Sequence, residues 1–167
     1  MSILMSLFLL PVSAQASTTP PRNEAWLAFQ QLSALAGEWQ GQNAHGGIVR
    51  VSYKLIANGH TLVESWDMGG GRTSMTVYHR NGDALLATHY CPLGNQPRLK
   101  FAPAATPGQI AFEFLDATNL SSPSNEHADS LRFDLKAKDR FVRTETYRAG
   151  ETTTESRIIF ERSVTKS

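Results

Sequence analysis

The spacing of hydrophobic residues changes once along the chain, close to Gly37. Between residues 24 and 35, apolar side chains recur at the three- and four-residue spacing of an amphipathic helix. Asn23 is suited to cap that helix, and Gly37 is suited to end it. After Gly37 the apolar residues recur at every second position, which is the period of β-strands. The pattern therefore predicts one short helix followed by an all-β region.

Turn signals rich in glycine and asparagine divide this region into short segments of Val, Ile, Thr, Tyr and Phe. Examples are residues 58–59, 69–71, 81–82 and 149–150. The predicted strands lie near residues 38–43, 47–57, 60–68, 72–80, 83–91, 96–102, 109–115, 130–137, 140–148 and 151–162. An open sheet of this kind would leave two unpaired edges, which closure removes. We predict a single closed antiparallel β-barrel of about eight to ten strands in meander order, preceded by the helix.

Hairpin register indicates which polar side chains share the apolar face. With Asn58-Gly59 as a two-residue type I′ loop, Tyr53 lies opposite Glu64, and Trp66 lies on the same face. That face is the apolar one, so it carries Glu64 into the core. A buried carboxylate needs a partner or must keep its proton.

The two faces of the hairpin around residues 81–82 differ less in polarity. One face carries Met75 and Tyr90, and the other carries His89. We expect the Met75 face to point inward, because a two-residue loop at Gly69-Gly70 would place Met75 opposite Glu64. A three-residue loop at the same glycines would reverse this choice.

The last hairpin brings further charged groups inward. Its large apolar residues predict that Arg143, Glu145 and Tyr147 share the inner face. An inward Arg beside a Tyr can clamp a ligand carboxylate, and apolar walls with a few polar groups are typical of small-molecule pockets. The alternative is that Arg143 pairs with Glu64 or Glu145 and satisfies only the protein itself.

Residues 89–98 form the most distinctive segment of the chain. Its prolines and glycine predict a rigid loop, in which Asn95 and Gln96 supply amide groups at one mouth of the barrel. His89 and Cys91 share a strand face and could chelate a metal, but two ligands without a third favour a packed thiol and a structural histidine.

These considerations predict a protein that binds a small hydrophobic or amphipathic molecule in the barrel interior. The predicted ligand-binding residues are Tyr53, Glu64, Trp66, Met75, Tyr90, Asn95, Gln96, Arg143 and Tyr147. We assign no catalytic residue and no metal ligand. Two alternatives stay open: an enzyme that uses Glu64 or His89 as a general acid or base, and a structural envelope barrel whose interior is filled.

Charge and cysteine content exclude other classes of protein. The chain has 16 Lys and Arg against 15 Asp and Glu, a net charge of +1, with no long basic run. This argues against nucleic acid or an anionic membrane surface as the main partner. A single cysteine cannot form an intrachain disulfide. The length suggests one domain, and we expect a monomer or homodimer.

The N-terminus has the pattern of a secretory signal. An apolar stretch over residues 3–12 precedes Ala14-Gln15-Ala16, a small-x-small cleavage site. The stretch is too short to span a bilayer. We expect a signal peptide over residues 1–16, a linker over 17–23 and the barrel domain over 24–167, with the mature protein in the periplasm or outside the cell.

The string LAGEWQG at residues 35–41 resembles the Gly-x-Trp element that opens the first barrel strand in the lipocalin-like (calycin) superfamily. Residues 74–98 and DATNL at 116–120 are similar to a group of uncharacterised secreted bacterial lipocalin-like proteins. The resemblance implies that Trp39 plugs the closed end of the barrel and that a small apolar or amphipathic ligand binds inside.

A more distant resemblance, to nitrobindin-like barrels, implies haem held by a histidine near the C-terminus. No histidine follows His127 in this chain. His79, if it faces inward, is the substitute ligand. We therefore expect no cofactor unless His79 supplies that position for haem.

Overall fold

The computed structural model describes residues 24–104, 106 and 108–163. The predicted signal peptide, the linker and the Asn23 cap lie outside the described residues. Within them, no helix has the length and apolar character needed to cross a membrane.

Among the described residues, one α-helix and ten strands follow each other in sequence. Every strand is antiparallel to its neighbours, and the last pairs with the first, so the meander closes into a barrel as predicted. The elements are α1 (Glu24–Ser33), β1 (Gly37–Gln42), β2 (Ile48–Ile56), β3 (Thr61–Asp67), β4 (Thr73–Asn81), β5 (Ala84–Tyr90), β6 (Gln96–Ala102), β7 (Gln109–Thr118), β8 (His127–Ala137), β9 (Arg140–Ala149) and β10 (Thr152–Arg162).

The helix and Trp39 close one end of the barrel, which we call the closed end. Helix α1 packs against β4 and β5, and its buried residues, among them Phe29 and Leu32, belong to the main core. Trp39 is 1% exposed, and its indole N–H donates to the carbonyl oxygen of Leu35 at 2.7 Å. Its ring meets Phe141 edge-on at 4.8 Å. Trp39 thus lies where the resemblance places the plugging tryptophan.

Strands β2 and β3 pair in the predicted register. Tyr53 lies opposite Glu64, and Val51 lies opposite Trp66. The turn between the strands has positive φ at both central residues, 54° at Asn58 and 84° at Gly59, which is the type I′ geometry. The confirmed register places Glu64 inside the barrel.

The next loop corrects the prediction for β4 and β5. Met68 N–H donates to the Arg72 carbonyl across three glycines, residues 69–71, which all have positive φ. Because the loop has three residues instead of two, Glu64 lies opposite Thr76. Thr76 and His89 therefore face inward. The prediction that Met75 and Tyr90 face inward is wrong: they lie on the outer face, and Tyr90 is 46% exposed.

Aromatic side chains fill the closed half of the lumen. Phe141 and Phe160 oppose each other across β9 and β10, and their rings stack with centroids 5.2 Å apart. Phe112 and Phe133 are also fully buried. The predicted inner face of β9 is confirmed, because Arg143 lies opposite the buried Ile158.

Closure at the β1–β10 seam depends on Gly41. A Cβ atom on Gly41 would lie 2.5 Å from the Ile159 carbonyl oxygen and 2.7 Å from Cγ2 of Ile158. Since a backbone atom cannot move aside locally, Gly41→Ala should destabilise the barrel by about 1–3 kcal/mol in urea unfolding. Gly47→Ala is the matched control, because its Cβ would approach only the flexible Asn43 side chain, at 3.0 Å. Equal losses for the two variants would contradict the tight seam.

Candidate functional site

The most heavily hydrogen-bonded side chain inside the barrel is Glu64 of β3, which is 0% exposed. Its Oε2 accepts from the hydroxyls of Tyr53, at 2.9 Å, and Tyr78, at 2.8 Å. Its Oε1 accepts from the Trp66 indole N–H at 2.5 Å and from the Thr76 hydroxyl at 3.2 Å. The buried carboxylate therefore has the hydrogen-bond partners that it needs in place of water.

Arg143 of β9 provides the opposite charge. Its Nη2 lies 3.0 Å from Oε1 of Glu64, and its Nη1 lies 3.2 Å from Oε2 of Glu145. The Arg143 side chain is 3% exposed, and its guanidinium lies over the Trp66 ring, 4.6 Å from the ring centroid. Of the two roles predicted for Arg143, the structure shows the internal pair, and with both candidate glutamates.

The ion pair sets the charge state of both groups. Burial raises the pKa of Glu64, but the Arg143 guanidinium and the hydrogen bonds from Trp66 and the tyrosines outweigh burial, so the pKa lies below its usual value. Burial lowers the pKa of Arg143, but Glu145 and Glu64 outweigh it and hold the pKa well above its usual value. Both groups are therefore charged at neutral pH.

A hydrogen-bonded chain leads from Glu64 to His89 and Tyr147. The Thr76 hydroxyl lies 3.0 Å from Nδ1 of His89, and the Tyr147 hydroxyl lies 3.2 Å from Nε2. We assign the single Thr76 proton to the ionised Glu64, since a charge-assisted bond is the stronger one. His89 then carries its proton on Nδ1 and accepts from Tyr147 at Nε2.

Burial determines the charge states of His89 and Tyr147. It lowers the pKa of His89 despite the opposing effect of Glu145, so the imidazole is neutral at pH 7. Burial and the nearby Glu145 raise the pKa of the Tyr147 phenol. The Tyr147 hydroxyl also lies 3.8 Å from Sγ of the buried Cys91.

Beyond this network, at the end opposite α1, the lumen holds a cavity of about 260 Å³. Strand ends and loops of this open end surround it. Its lining combines apolar side chains with the exposed side of the polar network: Asn43, Val49, Trp66, Met68, Arg72, Ser74, His89, Pro92, Arg143, Glu145, Tyr147, Ser156 and Ile158. The barrel is thus packed at its closed end and hollow at its open end.

The structure brings five of the predicted site residues together. Trp66, Arg143 and Tyr147 line the cavity. Tyr53 and Glu64 belong to the same network but are buried beneath it. These five positions follow from the β2–β3 and β9–β10 registers.

Asn95 and Gln96 lie in and beside the loop at the open end, as predicted, but not among the residues that line the cavity. The Asn95 amide donates to the Glu126 carbonyl at 2.8 Å. The Gln96 amide donates to the Gly94 carbonyl at 2.8 Å and accepts from Thr118. These hydrogen bonds of the Asn95 and Gln96 amides hold the loop in place.

Thr76, Tyr78 and His89 belong to the network but were absent from the predicted ligand-binding set. A usable signal was present in the sequence. Glu64 needs hydroxyl donors from the neighbouring strand β4, where Thr76 and Tyr78 supply them and Met75, on the other face, does not. Glu145, predicted to face inward, also lines the cavity.

The residues present do not fit haem. His79 shares the outer face with Met75, so the prediction that it could substitute as an inward ligand is wrong. His89 faces the cavity, but both of its ring nitrogens are engaged by Thr76 and Tyr147. Across the described ranges, no group of three or more His, Cys, Asp or Glu side chains is arranged to hold a metal ion.

Comparison with solved structures supports the fold. Rv2717c from M. tuberculosis superposes with a TM-score of 0.54 at 18% identity, over 82% of this chain and 98% of that one. A protein of unknown function from the DUF3598 family of Nostoc punctiforme PCC 73102 gives 0.52 at 18% identity, over 78% of this chain and 48% of that one. Neither protein-family models nor curated proteins yield a match. These similarities support the barrel fold.

Replacing the buried carboxylate tests the ion pair. Glu64→Gln should destabilise the protein by about 3 kcal/mol or more, because it leaves Arg143 partly uncompensated and directs an amide N–H at side chains that donate. Asp116→Asn is the control, since Asp116 pairs with Arg98 where both side chains are 46% exposed. Urea unfolding should show a far smaller loss for the control, and similar losses would contradict the role of Glu64.

The lowered pKa of His89 predicts a pH dependence of stability. The unfolded chain takes up the proton near pH 6.5, whereas folded His89 does so only at lower pH. Its contribution is therefore complete above the unfolded pKa and is lost as pH falls through the folded pKa. The slope of the free energy of unfolding against pH is at most about 1.4 kcal/mol per pH unit. Urea unfolding between pH 5 and 7.5 should show this slope in the wild type and a smaller slope in His89→Gln, and an unchanged slope in the variant would contradict the assignment.

Proposed function

We propose that the protein binds a small, largely apolar molecule with one polar group in the cavity at the open end. The observation that carries the proposal is the division of the lumen into a packed half and a hollow half. A purely structural barrel has no need of a cavity of about 260 Å³ at one end.

The lining is suited to such a molecule. Val49, Met68 and Ile158 supply apolar surface, and Trp66 supplies an aromatic wall. Arg143 and Tyr147 are held in place by the network beneath them. Apolar walls with a few fixed polar groups are typical of small-molecule sites, and the volume of about 260 Å³ lies just below their usual range of about 300–1,000 Å³, which suits a small ligand.

The same geometry favours binding over acid–base catalysis. Glu64 is sealed beneath Trp66 and Arg143, so it cannot exchange a proton with a ligand in the cavity. His89 lines the cavity, but its Nε2 lone pair accepts from Tyr147 in the tautomer assigned above. A general base needs a lone pair within reach of the proton that it removes.

The proposed location is the periplasm or the cell exterior, on the strength of the apolar run and the Ala14-Gln15-Ala16 site. Intact-mass measurement of the exported protein would show a chain beginning at residue 17. A retained N-terminus would overturn this part of the proposal.

A neutral probe tests the binding function. Added 2-phenylethanol should shift the NMR signals of Val49, Met68 and Ile158, and native mass spectrometry of the purified protein should reveal any ligand already held. Ser156→Phe, on the inner face of β10, should weaken binding tenfold or more by filling the cavity.

Arg157→Phe is the matched control, because the next residue of the same strand lies on the outer face, and it should leave the affinity unchanged. Shifts confined to the outer surface, or equal effects of the two variants, would contradict binding in the cavity.

A further inference from the structure

The deep wall of the cavity consists of Trp66, His89, Arg143, Glu145 and Tyr147. The hydrogen-bond donors of this wall are directed at other protein groups and not at the cavity. The Trp66 indole and the Arg143 Nη2 both donate to Glu64, and the Arg143 Nη1 donates to Glu145. His89 donates through Nδ1 to Thr76, and Tyr147 donates to His89.

One further donor of this wall, Nε of Arg143, has no hydrogen-bond partner among the described residues. The atom is enclosed by protein, and the guanidinium lies over the Trp66 ring, so Nε offers nothing to a molecule in the cavity. The second N–H of Nη1 is the remaining Arg143 donor for which the described contacts give no acceptor, so the deep wall offers few donors.

The acceptors of the wall remain available. Each carboxylate oxygen of Glu145 contacts one Arg143 nitrogen, at 3.2 and 3.5 Å, and has further lone-pair capacity. The Glu145 side chain is 17% exposed, against 3% for Arg143 and 0% for Glu64. Of Glu64, Arg143 and Glu145, which we call the charged triad, Glu145 is thus the group that a molecule in the cavity can reach.

The formal charge beside the cavity also favours a cationic ligand. The two carboxylates and one guanidinium of the charged triad carry a formal charge of −1 in a largely buried setting. The opposing charge at the mouth, Arg72, is exposed on the glycine loop, where water and salt screen it. The other polar groups of the mouth, such as Asn43 and Ser74, are neutral.

From this arrangement we infer that the ligand is an apolar molecule with a cationic donor head, such as a primary ammonium group, which binds Glu145 while the apolar body contacts Trp66, Val49 and Ile158. The inference rests on the proposed function and names its ligand class. It replaces the carboxylate ligand that an unpaired Arg143 would have favoured.

Three probes of similar size and different head group test this inference: 2-phenylethylamine, 2-phenylethanol and phenylacetate. NMR titration of the wild-type protein at pH 7 and low salt should give the highest affinity for the amine and the lowest for phenylacetate, with at least a tenfold difference between these two. The preference for the amine should decrease as salt is added.

Two variants test whether Glu145 is responsible for the tighter binding of the amine. Glu145→Gln should reduce the affinity for the amine tenfold or more and bring it close to that of the alcohol. Glu113→Gln is the control, because Glu113 is exposed on β7, and it should not change the ratio of the affinities. The wild-type series decides the outcome even if Glu145→Gln fails to fold.

The outcomes separate the two proposals. If the alcohol shifts the cavity signals and phenylacetate binds as tightly as the amine, the head-group inference is overturned and binding in the cavity stands. If none of the probes shifts those signals, the proposed function fails and the inference fails with it.

Discussion

The interior depends on one buried ion pair, Glu64 with Arg143. Burying either charge alone would cost several kcal/mol, so the barrel has to bring them together and satisfy their remaining hydrogen-bonding groups. Tyr53, Thr76 and Tyr78 complete this task from β2 and β4. Strands that are distant along the chain, β3 and β9, are thereby connected across the lumen. A one-residue slip of β3 would turn Glu64 away from these partners to the outer face.

The same network separates the two halves of the barrel. On one side, Trp39, Phe141 and Phe160 pack in an aromatic core beneath α1. On the other side lies the cavity, and the outer members of the network form its deep wall. Because each inner donor is directed at Glu64, the cavity side retains mainly the carboxylate of Glu145. The requirement for a stable interior therefore shapes the chemistry available to a ligand.

Much of this arrangement could be predicted from local sequence rules, and the exception has a clear cause. The Asn58-Gly59 turn defines its loop length, so Tyr53, Glu64 and Trp66 were placed correctly. Three consecutive glycines at 69–71 accept positive φ at every position and do not specify where the loop begins. A one-residue difference there reversed the faces of β4 and β5. The hydroxyls of Thr76 and Tyr78, on the strand beside Glu64, would have favoured the correct face.

The central claim is that Glu64 is an ionised carboxylate inside the barrel. Its charge can be measured directly by ¹³C NMR of the side-chain carboxyl in protein labelled at glutamate, with the signal assigned by comparison with Glu64→Gln. The account predicts a titration midpoint below pH 4.5, the ordinary value for this group, and the chemical shift of a carboxylate at neutral pH. A titration midpoint above pH 4.5, or the shift of a protonated acid at neutral pH, would contradict it.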